Sequence, residues 1–256
     1  MIHPSALIDP RARLEPGVEV GPFSVIDAEV EIGAGTRIGP HVVIRGPSRI
    51  GRDNRIFQFA SIGEDPQDKK YRGETTRLEM GDRNVIRECA TIHRGTIQDQ
   101  SLTRVGHDNL FMAYTHVAHD CVIGNGTIMA NGASLAGHVH VDDFAILGGF
   151  SLVHQFCRIG RESFSGMGSV ISRDVPPFVM LGGSPTRPRG INAVGLERRG
   201  YDGEAILRIR RAFKTLYKSG LKLEEAIDQL QVMAEDAPEI QAFLDFLGQS
   251  GRSIVR

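Results

Sequence analysis

The chain has 256 residues, and thirty basic against thirty-one acidic side chains leave a formal charge of −1, which offers no general attraction to nucleic acid or to an anionic membrane. Its 41% hydrophobic content is that of a globular protein, and no apolar run reaches the roughly eighteen residues needed to cross a bilayer. The opening M-I-H-P-S-A lacks the charged-then-apolar pattern of a leader, so a cytoplasmic protein without a membrane span is expected.

Three cysteines, Cys89, Cys121 and Cys157, are odd in number and far apart, which speaks against a disulfide framework or a zinc knuckle. Thirty glycines, no tryptophan and 6% aromatic residues point instead to an aliphatic core in a repeated geometry. The repeat is found at once. Stepping by six from Ile2 gives Ile8, Leu14, Val20, Ile26, Ile32, Ile38, Ile44, Ile50, Ile56 and Ile62 without a miss. Four residues after each sits a small or β-branched partner, from Ala6, Ala12 and Val18 to Ala60, with Asn54 the exception. Glycine often follows the aliphatic residue, as at Gly21, Gly33, Gly39, Gly51 and Gly63, where a tight corner or a positive φ favours it.

Neither helical spacing nor strict alternation fits this pattern. One large and one small inward position per six residues describe a short strand and a corner. Three such units make a triangular coil of eighteen residues, and coils stack about 4.8 Å apart with their backbones paired as parallel strands. The period breaks after Ile62 in the charged stretch E-D-P-Q-D-K-K-Y-R-G, which predicts a loop thrown out near residues 64–77. It resumes at Met80, Ile86 and Ile92, slips by one between about Gln98 and Thr103, and then runs from Val105 to Ile171 with Ser165 as its miss. Cys121 and Cys157 fall on small inward positions. Pro176, Pro177, Gly182, Gly183, Pro185 and Pro188 predict a linker. Beyond it the spacing turns helical, with Asp202 as an N-cap before Ile206, Ile209, Phe213 and Leu216, and two further helices after Leu223 and Pro238. The expected organisation is a parallel β-helix over 1–190 and a small α-helical part over 191–256.

Five of the nine histidines, His116, His119, His138, His140 and His154, lie within about forty residues of the second repeat tract. Positions eighteen apart stack, so His119, Gly137 and Gln155 form one column and His138 sits above Asp120. Such a column suits an elongated substrate, with the imidazole as base and the glycine N–H as donor to a developing oxyanion. Taken singly, His107 and His140 read as exposed wall residues. A metal held by residues such as His116 and His119 is the competing reading.

The blocks T-I-H-R-G-T at Thr91–Thr96, T-H-V-A-H-D-C, L-A-G-H-V-H-V-D-D-F-A and V-H-Q-F-C, with the helical tail after G-I-N, closely resemble the UDP-N-acetylglucosamine acyltransferases, hexapeptide-repeat enzymes that begin lipid A synthesis. The resemblance runs from Ile2 to Arg256. It implies a left-handed β-helix and a homotrimer with sites between subunits. It further implies transfer of a 3-hydroxyacyl group from acyl carrier protein to the 3-hydroxyl of UDP-N-acetylglucosamine, with no cofactor or metal beyond the carrier's phosphopantetheine. By the same resemblance His119 is the general base, Asp120 its partner and Gly137 the oxyanion donor. Asp68, Lys70, His93, His116, His138, His154 and Gln155 contact sugar nucleotide or acyl chain, and Asn192, Arg198 and Arg199 approach the nucleotide. Met167 closes the acyl groove and favours a 3-hydroxydecanoyl donor. Val194 stands where many relatives are expected to carry an acidic residue. The motif of the carbonic anhydrases of this fold is not matched. A purely structural β-helix would need no histidine column, and a later N-acyltransferase of the pathway is expected to carry another N-terminal domain, whereas here the repeat starts at Ile2.

Overall fold

In a computed structural model, which describes residues 1–235, 237–249 and 253–256, the hexapeptide pattern becomes a three-sided prism. Its first face holds nine parallel strands from Leu7–Ile8 to Val170–Ile171. The second holds eight from Arg13–Leu14 to Arg158–Ile159. The third runs from Glu19–Val20 to Phe164–Ser165 and is extended by Val179–Gly182 and Arg187–Ile191. Through the prism a strand pairs with the third strand after it, so consecutive strands lie on different faces, until Phe164–Ser165 pairs with Val179–Gly182.

The registers give the coil length directly. Val25 pairs with Val43 and His116 with Ser134, eighteen residues on. Ser61 pairs with Thr91 and Thr91 with His116, separations of thirty and twenty-five, so the two breaks insert about twelve and seven residues. The first insertion, residues 65–76, lies between Ser61–Glu64 and Arg77–Met80. The second, residues 94–101, lies between Thr91–His93 and Leu102–Val105. Both therefore leave the prism at the corner between its first and second faces.

The periodic aliphatic residues fill the interior. Ile26, Ile44, Ile62, Ile92, Val117, Leu135 and Leu147 are all buried, as are Cys121 and Cys157 at small positions, while Ile2 stays half exposed at the open end. Asn54 has a reason the spacing did not reveal. Its Oδ1 accepts the Asn84 N–H at 2.8 Å, the Asn84 Oδ1 accepts the Asn109 N–H at 3.0 Å, and the Asn109 Oδ1 accepts the Thr127 N–H at 2.7 Å. These buried amides form a ladder down one inner corner, each spanning the step to the next coil. The glycines after the aliphatic positions are explained mainly by close approach between coils. A Cβ at Gly33 would stand 2.6 Å from the Gly51 carbonyl carbon, and one at Gly51 would stand 2.7 Å from that of Gly81, whereas Gly63 has a positive φ of 73°.

The proline-rich stretch is not a free linker. Val179–Gly182 continues the third face beside Phe164–Ser165, and Arg187–Ile191 returns antiparallel to it. Among the described residues four helices follow rather than three: α1 (Ala193–Arg198), α2 (Gly203–Lys218), α3 (Leu223–Met233) and α4 (Pro238–Gly248). The Asp202 side chain caps α2 by accepting from the Ala205 N–H at 2.7 Å. The buried faces of these helices share one core with the prism end, where the Phe178 ring lies 5.4 Å from that of Phe243.

Replacing Asn84 by Ala should lower stability by about 3 kcal/mol, because it leaves the Asn109 N–H and the Gly106 carbonyl without their partner and takes one of two donors from the Asn54 Oδ1 and from the Gly81 carbonyl. Urea unfolding checks this; a change under about 1 kcal/mol would mean that water replaces the ladder at no cost.

Candidate active site

His119 and Asp120 do not lie on a strand, where adjacent side chains would point apart. They form the corner turn between His116–Val117 and Val122–Ile123, and Asp120 has φ 59°. That left-handed conformation turns its carboxylate inward and back toward its neighbour, so Asp120 Oδ2 lies 2.9 Å from His119 Nδ1. Such backbone is a property of these corners rather than of the site, since His138, Phe156 and several other corner residues share it.

The Asp120 carboxylate is nearly fully buried and saturated from the second insertion. Oδ1 accepts the Thr96 N–H at 2.8 Å, and Oδ2 accepts the Thr96 hydroxyl at 2.6 Å. Burial alone would push its pKa up, but the bonds from His119 and Thr96 outweigh burial and hold it below the ordinary carboxylate range. An ionised Asp120 can only accept, so His119 Nδ1 carries the proton and donates it in this hydrogen bond, which leaves the lone pair on Nε2.

One coil further, Gly137 packs against this ring from above. A Cβ there would stand 2.5 Å from His119 Cε1 and 2.8 Å from Nε2, so only glycine admits the imidazole in this position. His138 crosses the His119 ring edge-on at 5.1 Å, places its Nδ1 2.9 Å from Asp99 Oδ2 and 3.9 Å from Asp120 Oδ2, and stacks on Phe156 at 4.4 Å. His93 and His116 form a second edge-on pair, 5.2 Å apart, with Thr91 Oγ1 2.7 Å from His116 Nδ1. Burial, reinforced by the charges of His93 and His119, lowers the pKa of His116 to about 4. Burial also lowers that of His93, against an opposing backbone hydrogen bond to Asp65. Both rings are therefore neutral near pH 7.

His119, Asp120, Gly137, His138, His93 and His116 thus converge on the first-to-second corner, with Gln155 and His154 exposed one coil above Gly137 and Ala136. Asp68 and Lys70 lie on the first insertion at the same corner. There the Asp68 side chain accepts the Lys70 N–H at 2.9 Å, and nothing among the described residues ties either to the histidines. Asn192, Arg198 and Arg199 lie elsewhere. Asn192 caps α1, and Arg199 packs over the Phe144 ring and 3.7 Å from the buried Glu162, at the corner between the second and third faces. Arg198 and Val194 are exposed on α1. Met167, 82% exposed, sits at the remaining corner with its Cγ above Gly149. Of the solitary histidines, His107 accepts the Asp82 N–H through Nδ1 at 2.9 Å, and His140 stands on the second face.

Thr96, Asp99, Thr91 and Phe156 were not among the residues singled out from the sequence, although all four touch these rings or their carboxylates. His119, Asp120 and His138 also have ligand atoms within 4.8 Å of one another, close enough for a metal ion. This is a different set from the His116 and His119 pair. The inward atoms are already engaged: Asp120 Oδ2 by Thr96 and His119, and His138 Nδ1 by Asp99.

Comparison with known proteins settles what kind of chain carries this corner. Residues 11–46 and 102–137 match the bacterial transferase hexapeptide profile, and residues 174–255 match the profile described as UDP N-acetylglucosamine O-acyltransferase, domain 2. A Thiobacillus denitrificans protein named acyl-(acyl-carrier-protein)--UDP-N-acetylglucosamine O-acyltransferase is 59% identical over 255 residues, covering 100% of this chain and 99% of its own. The chain belongs to this O-acyltransferase family. A protein of the same name from Pseudomonas aeruginosa is likewise 59% identical over 256 residues, with the same coverage. Among solved structures, an Acinetobacter baumannii member superposes with a TM-score of 0.97 at 48% identity, covering 100% of this chain and 99% of that one. The UDP-N-acetylglucosamine acyltransferase of Francisella novicida gives 0.98 at 43%, covering 100% and 94%. The prism is accordingly a left-handed parallel β-helix with a small C-terminal helical region, and the chain is an enzyme of the acyltransferase class.

The depressed histidine pKa values fix a direction for the pH dependence of stability. Below pH 6.5 the unfolded chain takes up protons that folded His116 and His93 refuse, so stability is full above pH 6.5 and falls as pH drops toward 4, by roughly 3 kcal/mol at most for His116. Thermal unfolding between pH 7 and 4.5 should show this decline, and His116→Asn should flatten it. An unchanged slope in the variant would remove His116 as the cause.

Proposed function

We propose that this protein transfers a 3-hydroxyacyl group from acyl carrier protein to the 3-hydroxyl of UDP-N-acetylglucosamine, the opening step of lipid A synthesis, in the cytoplasm and as a homotrimer. The observation that carries the reading is the contact of 2.9 Å between His119 Nδ1 and a buried, ionised Asp120, which leaves Nε2 without a partner among the described residues. His119 Nε2 removes the hydroxyl proton as the sugar oxygen bonds to the thioester carbonyl carbon. Asp120 stabilises the imidazolium, as in the orienting role of a carboxylate in a catalytic triad. The oxyanion takes the N–H of Gly137, beside which the imidazole is packed. Collapse breaks the carbon–sulfur bond, the carrier thiolate leaves with the proton held by His119, and the ester remains on the sugar. The thioester supplies the activation, so no cofactor or metal takes part.

Asp68, Lys70, His93, His116, His138, His154 and Gln155 serve substrate binding in this reading, and Asn192, Arg198 and Arg199 meet the nucleotide. The last three lie at a corner remote from His119 within one chain, which supports a site completed by a second copy. Two adjacent arginines suit a diphosphate. The acyl chain follows the first face. Outward from His116 the paired positions are Ser134, Leu152 and Val170, and the last two are exposed and apolar. Met167 closes this strip at its far edge. Each methylene denied burial forfeits about 0.8 kcal/mol, so a 3-hydroxydecanoyl donor is favoured over longer ones.

His119→Ala should lose about a thousandfold in turnover with UDP-N-acetylglucosamine and 3-hydroxyacyl carrier protein, while chelator leaves the native rate unchanged and both proteins sediment as three chains. Retention of a tenth of the activity would remove His119 as the base, and a fully active monomer would overturn the shared site.

Met167→Gly should move the donor preference toward longer chains, measured as kcat/KM across a series of 3-hydroxyacyl carrier proteins. A native enzyme already fastest with the fourteen-carbon donor would end the role given to Met167.

A further inference from the structure

The eight-residue segment 94–101 belongs to no face of the prism, yet its first half is packed inward. Arg94 and Thr96 are 6% and 1% exposed, and a Cβ at Gly95 would stand 2.1 Å from the Leu102 nitrogen. The segment then turns on itself, with the Thr96 carbonyl accepting the Ser101 N–H at 3.0 Å, and its outer half carries Asp99. Two of its side chains end on the histidine cluster. Thr96 places its N–H on one Asp120 oxygen and its hydroxyl on the other, and Asp99 meets His138.

We propose that Thr96 is a positioning residue, acting through Asp120 to hold the His119 imidazole in the orientation and tautomer the reaction uses, with the insertion serving as the latch that delivers it. This rests on the reading of His119 as general base. A carboxylate can swing about its Cβ–Cγ bond. Two donors on two different oxygens fix its plane, and the remaining acceptor capacity of Oδ2 is then aimed at His119 Nδ1. The Thr103 hydroxyl completes the setting by accepting the Asp120 N–H at 2.8 Å, which ties the turn itself to the coil below. A threonine is suited to this task because its methyl group fills the buried site while its hydroxyl donates.

The hydroxyl also has an electrostatic consequence. Hydrogen bonds to the charged form favour it, so withdrawing one raises the proton affinity of the Asp120–His119 pair. The acidic limb of the rate profile, where the base is lost to protonation, then moves to higher pH. A side chain that merely filled space would move stability and leave that limb in place.

The test is a set of four enzymes, native, Thr96→Val, Thr96→Ser and His119→Ala, assayed with UDP-N-acetylglucosamine and a 3-hydroxyacyl carrier protein from pH 5 to 9. Valine keeps the shape of threonine and removes only the hydroxyl. Thr96→Val is expected to lower kcat about tenfold to a hundredfold at unchanged KM for the sugar nucleotide, and to shift the acidic limb of kcat/KM up by about half a pH unit. Thr96→Ser restores both within about threefold. If Thr96→Val matches the native enzyme within twofold while His119→Ala is inactive, the latch is wrong and the base assignment stands. A loss in Thr96→Val with the limb unmoved, or without rescue by serine, reduces Thr96 to packing and also overturns the proposal. Activity in His119→Ala would instead remove the reading on which it rests.

Discussion

Everything in this molecule follows from the pairing of each coil with the next. The strands of the prism are two to four residues long, too short to hold a shape alone, and between its ends each is fixed by parallel partners in the coils before and after it. Once that pairing is set, residues eighteen apart share a column, large aliphatic groups stack inside, and every corner becomes a vertical file of equivalent positions. A chain so constrained can add residues only where doing so leaves all three faces in register, which is at a corner. The insertions of about twelve and seven residues obey this, since registers on every face resume beyond them. That both leave at the same corner, on either side of the level of His93, is what turns one corner of three into a site.

The corner is also where the prism can bury a charge. A wall residue on a strand faces solvent or core, and neither suits an ionised carboxylate with a specific partner. At the turn the left-handed backbone of Asp120 directs its side chain under the covering insertion, where a backbone N–H and a hydroxyl replace the water it gives up. The neutral pair His93 and His116 sits on the first-face side of this charge, where burial disfavours the protonated form of both rings. The ionised member of the cluster is therefore Asp120, and the hydrogen bond from His119 is the one that its charge strengthens.

Much of this was legible in the sequence because the period is rigid arithmetic. Aliphatic residues every six positions gave the prism, and counting by eighteen put His119 under Gly137 and His138 above Asp120. The same arithmetic fails where the coil length changes. Thr96 lies twenty-four residues before Asp120, and Asp99 lies thirty-nine before His138, separations that match no multiple of the coil. Phe156 was a regular step from His138, but its stacking depends on side-chain directions at a turn rather than on spacing. Asn54 was visible only as an exception, since its role depends on Asn84 and Asn109, which stand thirty and twenty-five residues apart across the two insertions. The proline-rich stretch misled because proline and glycine mark ends of regular pairing, whereas here they shape a hairpin that extends the third face.

The division of labour among the corners bears on assembly. The first corner has His119, the carboxylate of Asp120 and Gly137 without a side chain, but the only cations on its two insertions are Lys69, Lys70, Arg72 and Arg94, the last bound to the carbonyl groups of Gly46 and Gly63. The second corner has Arg199 stacked on Phe144 beside a buried Glu162, with Arg198 exposed next to it. A nucleoside diphosphate sugar presents a hydroxyl to be deprotonated at one end and two phosphates at the other, so it requires both kinds of surface within its own length. A three-sided prism keeps its corners apart by construction, and no movement of α1 alone would carry it across a face that the ladder of paired strands holds rigid. On the reading proposed above, the two surfaces meet where the corner of one copy lies against the next, and each protomer keeps an uninterrupted core.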